Sequence, residues 1–169
     1  MNLITTLIII ATTIFVIYNI VAISLFDIPK SLSDTYYLYN NKCNKGWLFS
    51  LMMYTVVALM MPAWISLSEG DFQFLAFLAP AAIMFVGTAP RFKDFELENK
   101  VHMTSAYIAA ACSLLWVAIV TPYWWIIIIW LGFIALASFL TSTYKTCLVY
   151  WLEMIAFGAT FTSAIMYSV

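Results

Sequence analysis

The chain has 169 residues, 65% hydrophobic and only 9% charged, with a formal net charge of −1. A water-soluble domain carries about 25% charged residues, so this surface is expected to face lipid rather than water. The near-neutral balance, without any basic run, argues against nucleic acid as a partner. A mean hydropathy of +0.99 and 18% aromatic residues fit a membrane protein with Trp and Tyr at its interfaces.

Six apolar runs approach the length of about 20 residues that a spanning helix needs. The first, residues 3–26, follows no Lys or Arg, exceeds the length of a signal h-region and lacks a suitably placed A-x-A-like site. It reads as a retained transmembrane helix rather than a cleaved signal. A long polar connection, 27–46, contains the stretch SLSDTYY. The second run, 47–68, holds Pro62, which is expected to kink it. The tight turn EGDF leads to a third run, 73–89, short and carrying Pro80 and Gly87. A tilted span is expected there, with a broken or re-entrant segment as the alternative. The charged connection PRFKDFELENKV, 90–101, precedes the fourth run, 102–120. The minimal turn TP leads to the fifth, 123–141, and STYK leads to the sixth, 146–167.

The fold class is therefore all-α: one polytopic domain, a compact bundle of six transmembrane helices without internal repeat or linker. All seven basic residues fall in alternate connections: Lys30, Lys42 and Lys45; Arg91, Lys93 and Lys100; Lys145. The positive-inside rule places these connections in the cytoplasm and both termini on the non-cytoplasmic side. The expected location is the bacterial inner (cytoplasmic) membrane. Trp124 and Trp125 read as an outer interfacial belt. Cys43, Cys112 and Cys147 form no C-x-x-C and read as small apolar residues, not as a disulfide or metal site.

Glu153 is the sharpest candidate for chemistry. It lies seven residues into the sixth run, about 10 Å along a helix, where a carboxyl group is costly and normally faces the bundle interior. Thr146, Tyr150, Phe157 and Thr160 share its helical face. His102 is the only histidine and opens the fourth run. A structural zinc site needs about four ligands, mostly Cys or His, so no metal is expected; a mixed carboxylate–histidine site of His102, Asp34 and Glu153 is the alternative, without support from spacing, and a cofactor is not specified by any motif. Topology lets Ser33, Asp34, Arg91, Asp94, Glu96, Glu98, His102 and Glu153 converge on the cytoplasmic mouth of the bundle. Ser33, Asp34, His102 and Glu153 are the catalytic candidates, and Arg91, Glu98 and Tyr150 the ligand-binding ones. Asp94 and Glu96 read as a solvated loop. For Ser33 and Asp34 the bland alternative is a cap on a short helix in the loop. Ala106, Ala109, Ala110 and Ser113 form a small-residue stripe suited to close helix packing, and through it to homo-oligomerisation.

PKSLSDTYY after the first run, FVGTAP at the end of the third and HMTSA opening the fourth resemble the pattern of a family of small six-helix membrane proteins. That family includes bacterial proteins of unknown function. It is kin to the damage-regulated autophagy modulators and to the eukaryotic protein that remodels GPI-anchor lipids. The matching residues are Pro29, Ser31, Ser33 and Asp34; Gly87 and Pro90; His102 and Ala106. The chain departs from the pattern after Asp34, where Thr35 and Tyr36 replace a glycine. The resemblance implies a lipid-facing role without an established reaction.

Three functions follow. The favoured one is a lipid- or amphiphile-handling membrane protein, up to a lipid-modifying enzyme, with membrane lipid as its partner. The second is a small transporter or channel built on Glu153 and on helices broken at Pro62 or Pro80. The third is a non-catalytic partner subunit.

Overall fold

The computed structural model describes residues 2–68, 70 and 72–169. Glu69 and Asp71, the acidic residues of the EGDF turn, lie outside the described residues. Among those described, the chain forms seven helices and no strand: α1 (Leu3–Phe26), α2 (Thr35–Cys43), α3 (Trp47–Leu67), α4 (Gln73–Thr88), α5 (Glu96–Ile119), α6 (Trp125–Leu140) and α7 (Leu148–Ser168). Four of them, α1, α3, α5 and α7, are long and apolar enough to cross a membrane. α4 and α6 are apolar but have 16 residues each, about 24 Å of helix.

Five helices close into a ring in the order α1, α3, α4, α5, α7 and back to α1, with α6 packed outside it, mainly on α7. Side-chain bonds fix neighbouring helices as antiparallel. Gln73 Nε2 donates to Ile65 O at 3.2 Å, while Tyr54 and Thr88 join hydroxyls at 3.0 Å, so α4 runs back along the length of α3. Trp130 Nε1 donates to Thr162 Oγ1 at 3.1 Å and Trp151 Nε1 to Thr143 Oγ1 at 3.0 Å, which does the same for α6 and α7. The chain ends meet: Asn2 Nδ2 and Thr5 Oγ1 both donate to Ser168 O at 3.0 Å.

The outer surface is hydrocarbon. Ile17, Ile20, Ile128, Phe133 and Leu136 are all more than half exposed, an arrangement that suits lipid and not water. Inside the ring, Phe49, Met52, Val56, Trp64, Ala79, Trp116 and Val117 are buried. Trp64 and Trp116 meet edge to face at 5.2 Å, and Trp116 Nε1 donates to Ser68 Oγ at 2.5 Å.

The polar connection 27–46 is not a plain loop. It contains α2, whose Tyr39 is buried against Phe26 and Tyr18 at centroid distances of 4.9 and 5.7 Å. Asn44 ends α2 in the left-handed conformation, at φ 56°, as helix C-termini commonly do. α5 begins at Glu96, so His102 stands almost two turns inside the helix rather than at its start. α3 and α4 continue as α-helix through Pro62 and Pro80; the broken-segment alternative for the third run does not occur.

Candidate functional site

The turn before α2 organises the polar groups at this end of the bundle. Asp34 N–H donates to Ser31 O and to Ser31 Oγ, both at 3.1 Å. Thr35 Oγ1 donates to Leu32 O at 2.6 Å and bonds the Tyr18 hydroxyl at 2.6 Å. The turn is thus pinned to α1, and each of its next three residues reaches a different element. Leu32 N–H donates to Glu153 Oε2 on α7 at 2.6 Å. Ser33 Oγ meets His102 Nε2 on α5 at 2.9 Å. Asp34 Oδ1 pairs with Lys93 Nζ, in the connection before α5, at 2.5 Å.

Asp34 occupies the N-cap position of α2 but makes no capping bond with its side chain. Neither capping nor a direct bond to His102 is its role: the ammonium of Lys93 takes the carboxylate. The serine turns toward the histidine instead.

His102 is 3% exposed and held on three sides. Nδ1 lies 2.9 Å from Ala89 O, Nε2 faces Ser33 Oγ, and Phe92 stacks on the ring at 4.4 Å with 16° between planes. A carbonyl oxygen can only accept, so the hydrogen is assigned to Nδ1. In the neutral ring Nε2 is then an acceptor, and the Ser33 hydroxyl donates to it.

Glu153 and Tyr150 anchor the start of α7 to the same connection. Tyr150 N–H donates to Lys30 O at 3.1 Å, and Cys147 Sγ to Ile28 O at 3.3 Å. The Tyr150 hydroxyl donates to Asn19 Oδ1 at 3.1 Å, a buried bond between α7 and α1. Arg91 and Glu98 do not join the cluster. They pair with each other at 3.7 Å, largely in solvent, and Arg91 lies over the Phe95 ring at 4.8 Å. Glu96 pairs with Lys100 at 2.6 Å on the exposed surface of α5, and Asp94 is exposed.

A cavity of about 70 Å³ lies inside the ring between α3, α4, α5 and α7. Its wall is almost wholly apolar, from Met53, Val56, Met60, Ile83 and Phe161. Glu153 is the one ionisable side chain on it among the described residues. Val86, Ala106 and Glu153 bring its near end beside the polar cluster, since Ala106 is one turn along α5 from His102. Trp64, Ser113 and Thr160 line the far part. The small-residue stripe Ala106, Ala109, Ala110 and Ser113 thus faces this internal space. Trp64 Nε1 and Thr160 Oγ1 are buried and have no hydrogen-bond partner. Each unpaired buried polar atom costs about 1–3 kcal/mol.

Sequence reasoning missed Phe92, Lys93, Trp64 and Thr160 as site residues. Lys93 was visible only as one of several basic residues in a connection. The backbone groups of Leu32 and Ala89, which hold Glu153 and His102, leave no signal in side-chain identity. No family model, curated protein or solved structure matches the chain.

Proposed function

We propose that the chain is an integral membrane protein that takes single amphiphile molecules into the bundle, the apolar part in the cavity and the polar part at the Ser33–His102–Glu153 cluster. The observation that carries this reading is the juxtaposition itself: an apolar cavity inside the ring whose near end adjoins a polar cluster of buried Ser33 and His102 and half-buried Glu153. A ligand that is apolar at one end and polar at the other matches both parts. The cavity has room for only a few water molecules, so a chain of any length must displace side chains. Met53 and Met60 on the wall are unbranched and adaptable enough to yield. The transporter alternative needs a break in α3 or α4, and both helices run on through their prolines.

In this reading all six long helices cross the membrane, α4 and α6 included. Their 16 residues fall short of a hydrocarbon core of about 30 Å, a mismatch met by local thinning or by flanking residues at modest cost. Six crossings put both ends of the chain on one face, in keeping with the bond between Asn2 and Ser168. The basic connections, with the polar cluster, then face the cytoplasm.

The test is photocrosslinking with a diazirine-bearing fatty acid in lipid nanodiscs, followed by peptide mapping. Adducts are expected on cavity residues of α3, α5 and α7, and Ala109→Phe, which fills the cavity, should reduce them severalfold in protein that still unfolds in one thermal transition, at a somewhat lower temperature. Adducts confined to the outer apolar surface, unchanged by Ala109→Phe, would overturn the reading.

A further inference from the structure

We propose that Ser33 and His102 are a nucleophile–base pair that transfers the acyl group of a carboxylic ester lipid; this rests on the amphiphile reading above. Three observations carry it. First, the pair has the geometry that activates a serine: Ser33 Oγ lies 2.9 Å from His102 Nε2, and the opposite nitrogen is tied to Ala89 O at 2.9 Å. A base oriented from behind by a third group is the general arrangement of a serine nucleophile. Here a backbone carbonyl takes the orienting place, and Phe92 fixes the ring plane. Fastening a loop to α5 needs one hydrogen bond; this imidazole is constrained on both nitrogens and one face.

Second, the pair lies just behind the cavity wall: neither Ser33 nor His102 lines it, but their neighbours do. Ala106 and Glu153 are on the cavity wall, and they are one turn from His102 and one hydrogen bond from Leu32, the neighbour of Ser33. The ester of an amphiphile whose chain lies in the cavity therefore comes to rest near Ser33. Third, the pair is covered by a fastened strap. Ser33 is 2% exposed. Over it, residues 90–95 connect α4 to α5 and are held by the Lys93–Asp34 pair and by Lys93 N–H donating to the Tyr37 hydroxyl at 2.9 Å. Release of this strap would uncover the pair.

The chemistry balances with an ester lipid and an acceptor hydroxyl, from water or an alcohol. Ser33 Oγ attacks the ester carbonyl carbon while His102 Nε2 takes the hydroxyl proton. The bond between carbonyl carbon and alkoxy oxygen breaks, and the departing alcohol receives the proton from Nε2. The acyl–Ser33 ester is then attacked by the acceptor, whose proton passes to Nε2 and on to Ser33 Oγ as the acyl group leaves.

The experiment treats the full chain in nanodiscs with a fluorophosphonate that bears an alkyl chain and maps the adduct by mass spectrometry. Ser33 should displace fluoride and carry the phosphonyl group. Ser33→Ala should abolish the adduct, and His102→Gln should slow it by about 100-fold or more, the usual contribution of a general base. Lys93→Ala, which unfastens the strap without touching the pair, should speed it severalfold. A wild-type protein that gives no adduct on Ser33, yet still shows the cavity crosslink of the fatty acid, sinks this inference and leaves the amphiphile reading standing. A Ser33 adduct with a short-chain fluorophosphonate but no cavity crosslink keeps the reactive pair, sinks the amphiphile reading and with it overturns the lipid substrate. Unaltered labelling in His102→Gln assigns Ser33 some other activation and also overturns the pair.

Discussion

Glu153 accepts the backbone N–H of Leu32 at 2.6 Å, and that bond joins α7 to the turn that carries Ser33 and Asp34. Removing the acceptor leaves the N–H without a partner inside the protein, at a cost of about 1–3 kcal/mol. Glu153→Gln keeps a carbonyl oxygen on the same stem and should unfold close to the wild-type temperature. Glu153→Leu should unfold several degrees lower, read by thermal unfolding in detergent. Equal transitions for the two variants would show that the bond contributes nothing. The position of Glu153 was legible because a carboxylate stands out in an apolar run. Its partner was not, since a main-chain N–H belongs to every residue except proline. The partner of Asp34 was hidden for a different reason: Lys93 is one of seven basic residues and stands in a distant connection, so nothing in its spacing points to Asp34.

Between α6 and α7 the contact depends on Gly158. A Cβ built there would lie 2.6 Å from the Trp130 ring, and that ring also donates to Thr162 at 3.1 Å. α6 buries only Ile126, Ile134 and Ser138, so it has few other contacts that could compensate. Gly158→Ala should destabilise the protein by about 1–3 kcal/mol, as overpacking commonly does, and should change Trp fluorescence as Trp130 is displaced. A variant with unaltered fluorescence and melting would show that α6 and α7 adjust freely. The helices of the bundle were legible from apolar runs because their outer faces are hydrocarbon too, leaving no polar stripe to interrupt the pattern. α2 escaped that reading. Its sequence TYYLYNNKC is neither apolar throughout nor opened by a capping bond, and aromatic packing of Tyr39 on Phe26 and Tyr18 holds it instead. The first turns of α5 escaped as well, because ELENK is charged. Glu96 and Glu98 sit in its first turn, where the helix dipole favours them, and the Glu96–Lys100 pair adds support at the spacing that helices reward. Hydropathy stops at His102; the helix does not.

The ring of five helices with α6 outside turns the question of topology into one of parity. Asn2 and Ser168 are hydrogen-bonded, so the two ends lie at one end of the bundle, an arrangement that suits an even number of crossings. Four long helices satisfy that, and so do six with α4 and α6 added. The two cases differ between Cys43 and Pro122, a stretch that contains α3, α4 and α5. Three crossings put these residues on opposite faces; two put them together. Cys43 is exposed and Cys147 buried, so the native chain already carries a reporter at the end of α2. Pro122, exposed in the turn between α5 and α6, supplies the second site as Pro122→Cys in a Cys43→Ser background. With a membrane-impermeant maleimide on intact spheroplasts, the six-crossing arrangement with basic connections inside requires rapid labelling of Pro122→Cys. The native Cys43 should then react only after permeabilisation. Equal labelling of the two before permeabilisation would remove one crossing between them and leave α4 as a helix that enters the membrane without traversing it. Rapid labelling of Cys43 with a protected Pro122→Cys would keep the three crossings and invert the protein. The polar cluster would then open to the outside, and the ester lipid proposed as its substrate would come from the outer leaflet.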